Sequence, residues 1–108
     1  MAYPAKGKME NYCHLRKSIE QALRFVLPCQ RSIKKMSQHE FSKKCGFSRQ
    51  YISLVESGKR IPKLEFILCF ASGFDMSLQD FTHLLVERVI FYEDLEKRKQ
   101  REAPFKYG

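Results

Sequence analysis

The chain has 108 residues, a net charge of +8 and 44% apolar residues, nine of them Phe. This length and apolar content fit one domain that buries its own core. No stretch approaches the roughly 18 apolar residues of a membrane span. Residues 1–13 lack the apolar segment of a secretory signal. We therefore expect no membrane association and a cytoplasmic location.

The four cysteines and three histidines show no spacing typical of a metal site or a nucleophilic centre. There is no Cys-x-x-Cys pair and no glycine-rich phosphate loop. Cys45 and Cys69 fall on apolar faces and are interpreted as small core residues. We expect no metal, no cofactor and no enzymatic activity.

The N-terminal third is predicted to contain an arm, one helix and a long connection. Residues 1–13 have no sustained period and are interpreted as a mobile basic arm, so that the domain occupies residues 14–96. The first helix should end at Leu27, because Pro28 disfavours a helical conformation of the residue before it. Residues 28–36 would then form an enlarged basic connection, either as a loop or as an extra turn that carries Arg31, Lys34 and Lys35. The apolar face of this helix is Ile19, Ala22, Leu23 and Val26.

Residues 37–57, SQHEFSKKCGFSRQYISLVES, contain two short helical patterns on either side of a glycine. Ser37 and Ser48 each precede one of the patterns and are suited to accept hydrogen bonds from the first turn of a helix. Gly46 can take the left-handed conformation that ends a helix and turns the chain sharply. The pattern predicts a helix-turn-helix, whose second helix enters the DNA major groove.

The second of these helices presents two different faces. Ile52 and Val55 should point inward, whereas the polar side chains of Arg49, Gln50 and Ser53 should point outward together. Arg can pair bidentately with guanine and Gln with adenine in the major groove. These three polar residues are therefore the predicted base-reading set.

Two further helices are expected after the helix-turn-helix. Pro62 supplies the φ angle that suits the start of the fourth helix, and Asp75 is expected to tolerate a left-handed turn after it. The fifth helix is predicted over residues 78–96, and residues 97–108 form a basic tail. Its apolar seam continues past the end of a minimal domain and must pack on something. It could fold over the first helix of its own chain, but we favour a two-fold homodimer through Phe81, Leu85, Val89, Ile90 and Tyr92.

Charge is divided unevenly along the chain. Residues 31–63 hold nine Lys or Arg and two Glu, a net of +7, whereas residues 64–95 hold one Arg and six acids, a net of −5. A surface that faces phosphates explains this segregation. The predicted phosphate-contacting and positioning residues are Gln38, Ser48, Tyr51, Lys43, Lys59, Arg60 and Lys63. Tyr51 has an equally good alternative role, which is to cover the first helix of the helix-turn-helix.

The stretch from Ser37 to Leu85 resembles the DNA-binding domain of lambda-repressor-like regulators, the Xre or Cro/C1-type helix-turn-helix family. Five features stand in register: Ser-Gln at the start, Cys-Gly-Phe-Ser at the turn, Tyr-Ile-Ser in the recognition helix, Glu-Ser-Gly-Lys-Arg with Pro62, and Met-Ser-Leu before the last helix. The resemblance implies an all-α, five-helix lambda-repressor-like bundle with an extended C-terminal helix.

The resemblance also implies roles for three residues. A Gln at position 38 would donate to a phosphate and brace the first residues of the recognition helix. If Arg31 fills the buried arginine position found in some family members, Glu56 is its expected partner, because an inward-facing charge needs one.

Two functional hypotheses follow. The first is a sequence-specific transcriptional regulator, a small Xre-type repressor or controller that reads a palindromic operator in double-stranded DNA as a homodimer. The alternative is an antitoxin or other protein-interaction module of the same fold, with a toxin-like partner and with DNA binding secondary.

Overall fold

The computed structural model describes residues 9–102 of the chain, with side chains from residue 14 to residue 101. The described residues form five α-helices and no strand, so the expected all-α fold is confirmed. The helices are α1 (Met9–Ile33), α2 (Gln38–Cys45), α3 (Arg49–Glu56), α4 (Leu64–Gly73) and α5 (Leu78–Glu102).

The first helix is longer at both ends than predicted. Pro28 lies inside α1, which continues to Ile33, so the prediction that it ends at Leu27 is wrong. Proline removes one helical hydrogen bond, here the one to the carbonyl of Arg24, at a cost of about 3 kcal/mol. Burial of Val26 and Leu27 just before Pro28 offsets this cost, as do the contacts of Arg31 just after it.

The expected enlarged connection over residues 28–36 is therefore also wrong. Only residues 34–37 separate α1 from α2. Residues 28–33 belong to the end of α1, and residues 9–13, predicted to belong to a mobile arm, are helical at its beginning. The rest of that arm, residues 1–8, lies outside the described residues.

Four of the five helices are followed, within two residues of their last residue, by one in the left-handed conformation. The φ angle is +56° at Lys35, +85° at Gly46, +79° at Gly58 and +56° at Asp75. After each, the next N–H bonds back to a carbonyl five residues earlier, as from Met36 to Arg31 at 2.8 Å, which satisfies the free carbonyls at a helix end. The left-handed turn predicted at Asp75 is confirmed, although the residue has a side chain.

The core lies where α1, α4 and α5 meet the two short helices. It is built around four fully buried phenylalanines, of which Phe41 and Phe74 stack at 4.2 Å between ring centroids. Ile52 and Val55 are buried, as predicted. The interpretation of Cys69 as a core residue is wrong, because this residue is exposed. Leu64 is 70% exposed because it lies at the very start of α4.

Helices α1 and α5 pair along their length in opposite directions. Ser18 donates to Glu93 at 2.6 Å, and near the start of α1 the His14 ring lies 3.6 Å from the Glu96 carboxylate. The α5 helix reaches Glu102, beyond the predicted limit at residue 96, and residues 103–108 of the predicted basic tail lie outside the described residues. The extended fifth helix therefore folds over α1 of its own chain, the alternative that the sequence left open.

Candidate nucleic-acid interface

The recognition helix α3 begins with its polar side chains in solvent. The Ser48 hydroxyl accepts a hydrogen bond from the N–H of Tyr51 at 3.0 Å, as predicted for a cap. Arg49 and Gln50 follow directly and both are exposed, while Ser53 one turn later is partly exposed. Within residues 14–101, no carboxylate lies within 4 Å of the Arg49 guanidinium. The three predicted base-reading side chains thus share the outer side of α3, opposite its buried face.

The angle between α2 and α3 is set by the turn at Gly46. A Cβ at this position would meet nothing within 4 Å, so the glycine is required by its φ of +85° and not by lack of space. The N–H of Phe47 bonds to the carbonyl of Ser42 at 3.0 Å. Phe47 then packs against Tyr51 and Phe70, with ring centroids 5.1 and 5.7 Å away, and this packing fixes where α3 begins.

A buried ion pair holds the end of α3 to the end of α1. The Nε of Arg31 lies 2.7 Å from Oε2 of Glu56, and a second guanidinium nitrogen lies 2.8 Å from Oε1. The side chain of Glu56 is only 6% exposed and that of Arg31 17%. The bond to Glu56 raises the pKa of Arg31 above its ordinary value, so this residue is charged at any physiological pH. The pairing suggested by the resemblance is confirmed.

Gln38 does not hold the beginning of the recognition helix. Its amide nitrogen donates to Oε1 of Glu56 at 3.0 Å, so the expected brace to the first residues of α3 is replaced by one to its last residue. The amide has a second N–H, which remains suited to a phosphate oxygen. Sequence reasoning misses this link because nothing in the local pattern relates residues 18 positions apart.

The predicted cations lie around α3, and Tyr51 lies among aromatic rings. Lys43 is exposed in the last turn of α2, and three more exposed cations follow α3: Lys59, Arg60 and Lys63. Tyr51 is half-buried between Phe47 and Phe66, and burial raises the pKa of its hydroxyl. The Arg60 guanidinium stands 6.0 Å from the centre of the Tyr51 ring. The aromatic partners of Tyr51 thus lie in the turn and on α4, and its role as a cover for α2 stays a prediction.

The five residues predicted to form a dimer interface do not share one surface. Phe81 is fully buried and Leu85 is 7% exposed, so neither can contact a partner. Their assignment to the dimer interface is therefore wrong. Val89 and Tyr92 are partly buried against the same core. Ile90 is 49% exposed. The remaining exposed apolar side chains on α5 are Leu78, Val86, Phe91 and Leu95.

The arrangement defines a class of protein: a five-helix bundle in which a helix-turn-helix presents Arg, Gln and Ser on its second helix. Residues 33–81 match the family model described as Helix-turn-helix, of the lambda-repressor-like, Xre type. The match covers the end of α1, all of α2 to α4 and the first residues of α5. No curated protein and no solved structure matches the chain.

No helix within residues 9–102 is long and apolar enough to cross a membrane.

Proposed function

We propose that this protein is a sequence-specific transcriptional regulator that reads a palindromic operator as a homodimer. The observation that carries the proposal is the outer side of α3, where Arg49 and Gln50 are exposed and Arg49 has no carboxylate partner within the described residues. A major-groove reader presents exposed Arg and Gln side chains to base edges, and these two lie at the beginning of the second helix of a helix-turn-helix.

Contacts with bases and contacts with phosphates would have separate roles. Arg49 donates to O6 and N7 of a guanine, Gln50 pairs with an adenine, and Ser53 reaches a base or a phosphate one turn later. The surrounding groups position the helix without reading sequence; they are Gln38, Ser48, Lys43, Lys59, Arg60 and Lys63. The hydroxyl of Ser48 accepts from Tyr51 and keeps its own proton to donate.

The homodimer is supported by the outer side of α5. Val86, Ile90 and Phe91 are each about half exposed, at 51%, 49% and 47%, and such apolar side chains on a single helix favour contact with another surface. A two-fold dimer would present two copies of α3 to half-sites one helical turn apart or a multiple of it. Of the five residues predicted for the interface, Ile90 lies on this side of α5, and Val86 and Phe91 are added to it.

The test is the selection of bound sites from random duplex DNA at about 150 mM salt, where screening suppresses binding by charge alone. We expect an inverted repeat. Arg49→Ala and Gln50→Ala should each remove the preference at one base-pair position, by about 1–3 kcal/mol, and retain binding to unrelated DNA. The matched controls are Arg98→Ala and Gln79→Ala, which remove exposed side chains of the same two types from α5. Unchanged preferences in both α3 variants would refute the base-reading assignment.

A second candidate function rests on the groove between α1 and α5. This groove has a volume of about 440 Å³ and is lined in part by Phe25, Cys29, Ile90 and Phe91. A protein-interaction module of the antitoxin type would use it for a partner chain. Selection that yields no enriched sequence, with salt-sensitive binding to any duplex, would favour this second function over the first.

A further inference from the structure

The beginning of α1 passes beside the connection that follows the recognition helix. A depression of about 360 Å³ lies between them, and the side chains of Arg16, Lys17 and Lys59 line it together with Glu20 and Ile61. A second depression of about 330 Å³ adjoins it through Arg16 and contains Lys63. Cations from two distant parts of the chain, α1 and the α3–α4 connection, therefore share one surface. We call Arg16, Lys17, Lys59 and Lys63 the flanking basic surface.

The charges of the flanking basic surface are not neutralised by the protein. All four side chains are exposed, and within residues 14–101 none has a carboxylate within 4 Å. One acid, Glu20, lines the first depression, where it lies over Gly58 beside Arg24. Like charges held close together repel, which costs electrostatic free energy. An anion that occupies the space between them removes that cost.

The position of this surface indicates which anion it would bind. Lys59 stands three residues after Glu56, the last residue of α3, so a DNA backbone at the edge of a groove occupied by α3 would pass close to it. Arg16 and Lys17 continue the same surface away from α3, on the turns of α1 that precede the segment matched by the family model. Arg suits phosphate oxygens because its planar guanidinium donates two parallel hydrogen bonds.

We propose that Arg16 and Lys17 bind backbone phosphates of duplex DNA next to those held by Lys59 and Lys63. This extends the proposed DNA interface beyond the helix-turn-helix and rests on the proposed function. Contacts of this kind raise affinity for every sequence equally and carry no base preference. The longer α1 thus has a role in addition to supporting α5, because it enlarges the stretch of DNA that one protomer covers.

The experiment measures the binding of the full chain to two duplexes of equal length, one with the selected site and one unrelated, between about 50 and 200 mM salt. The slope of log K against log salt becomes shallower by about 0.9 for each phosphate that the protein no longer neutralises. Arg16→Ala with Lys17→Ala should therefore reduce the slope by nearly two on both duplexes and leave their affinity ratio unchanged. The matched control is Lys97→Ala with Arg98→Ala, which removes two exposed cations from α5, and it should leave the slope unaltered.

Three results would overturn the inference. An unchanged slope in the Arg16 and Lys17 variant would do so, and so would an equal change in the control, since that would reflect net charge alone. A change in the affinity ratio would mean that these residues read bases. If Lys59→Ala reduces the slope and Arg49→Ala alters base preference in the same series, only the inference about Arg16 and Lys17 is refuted, and the proposed function still stands. If the unaltered protein binds neither duplex, both proposals fall together.

Discussion

Arg31 connects three helices through a single guanidinium group. It bonds to both carboxylate oxygens of Glu56 at the end of α3 and to the carbonyl of Met36 just before α2, at 3.0 Å. Gln38 adds a third bond to the same carboxylate. These bonds fix the end of α3 relative to α1 and to the beginning of α2. The orientation of the outer side of α3 therefore depends on a buried charge that never touches DNA.

Removing one partner of this pair should cost far more stability than removing both. Glu56→Ala leaves the mostly buried charge of Arg31 without its carboxylate, and breaking a buried pair in this way costs on the order of 3 kcal/mol. Arg31→Met with Glu56→Leu restores apolar packing, and we expect it to recover most of the loss. Urea denaturation of the double variant and of Arg31→Met and Glu56→Leu alone gives the coupling energy. Equal losses in the single and double variants would contradict this account.

At the scale of single elements, α4 packs against α2 through a glycine. A Cβ at Gly73 would overlap Sγ of Cys45 and lie 2.6 Å from Cε1 of Phe41. The missing side chain is thus what lets α4 approach the centre of the core, where Phe41 and Phe74 stack. The same packing buries Cys45, and burial raises the pKa of its thiol to about 12. Cys45 is accordingly protonated and unreactive near neutral pH.

Gly73→Ala should destabilise the protein although alanine is the better helix former. Alanine favours a helix by roughly 1 kcal/mol over glycine, but the forced shift of Cys45 and Phe41 resembles overpacking, which costs about 1–3 kcal/mol. We expect a net loss of stability and a lower urea midpoint. Ser72→Ala, one residue earlier on the exposed side of α4, is the control and should be close to neutral. A gain of stability in Gly73→Ala would show that α4 can move away from α2.

The features that the sequence predicts correctly are those that depend only on neighbouring residues. Ser37 and Ser48 are recognisable as caps because a serine hydroxyl needs only the N–H three residues ahead. Gly46 is recognisable because few residues tolerate its backbone angle. Pro28 misleads for the same reason: its local preference is to end a helix, and only burial on one side and the Arg31 contacts on the other override it.

Tertiary partners cannot be predicted in this way. The periodicity of α5 shows which face is apolar, but it does not show which surface covers that face. The sequence directs Phe81 and Leu85 to a dimer, whereas both lie in the core of their own chain, where Phe81 is next to Phe74. The cluster of Arg16 and Lys17 with Lys59 has no local signal either, since these residues lie more than 40 positions apart in the sequence.

At the scale of the whole molecule, opposite charges occupy different regions. The segment with a net charge of +7 contains α2 and α3, while the segment with a net charge of −5 contains α4 and most of α5. DNA would be attracted to the first and repelled by the second, which orients the protein as it approaches.

We expect the dimer to dissociate when charge is placed on the exposed side of α5. Ile90→Lys puts an ammonium group on a half-exposed position outside the core, so the fold should survive while the apolar interface is disrupted. Sedimentation velocity over a range of concentrations should show a shift from dimer to monomer. Leu64→Lys makes the same change at another exposed apolar position, on α4, and should have no effect. A parent protein that is monomeric at all concentrations would exclude the dimer itself.

The antiparallel pairing of α1 and α5 also determines the order in which the chain can fold. Helices α2, α3 and α4 are neighbours in sequence and meet after short loops have closed, whereas the bond from Ser18 to Glu93 joins residues 75 positions apart. The entropy of closing that long loop must be lost before its interactions contribute anything. The DNA-contacting helices should thus assemble early in folding, and the two long helices should close around them last.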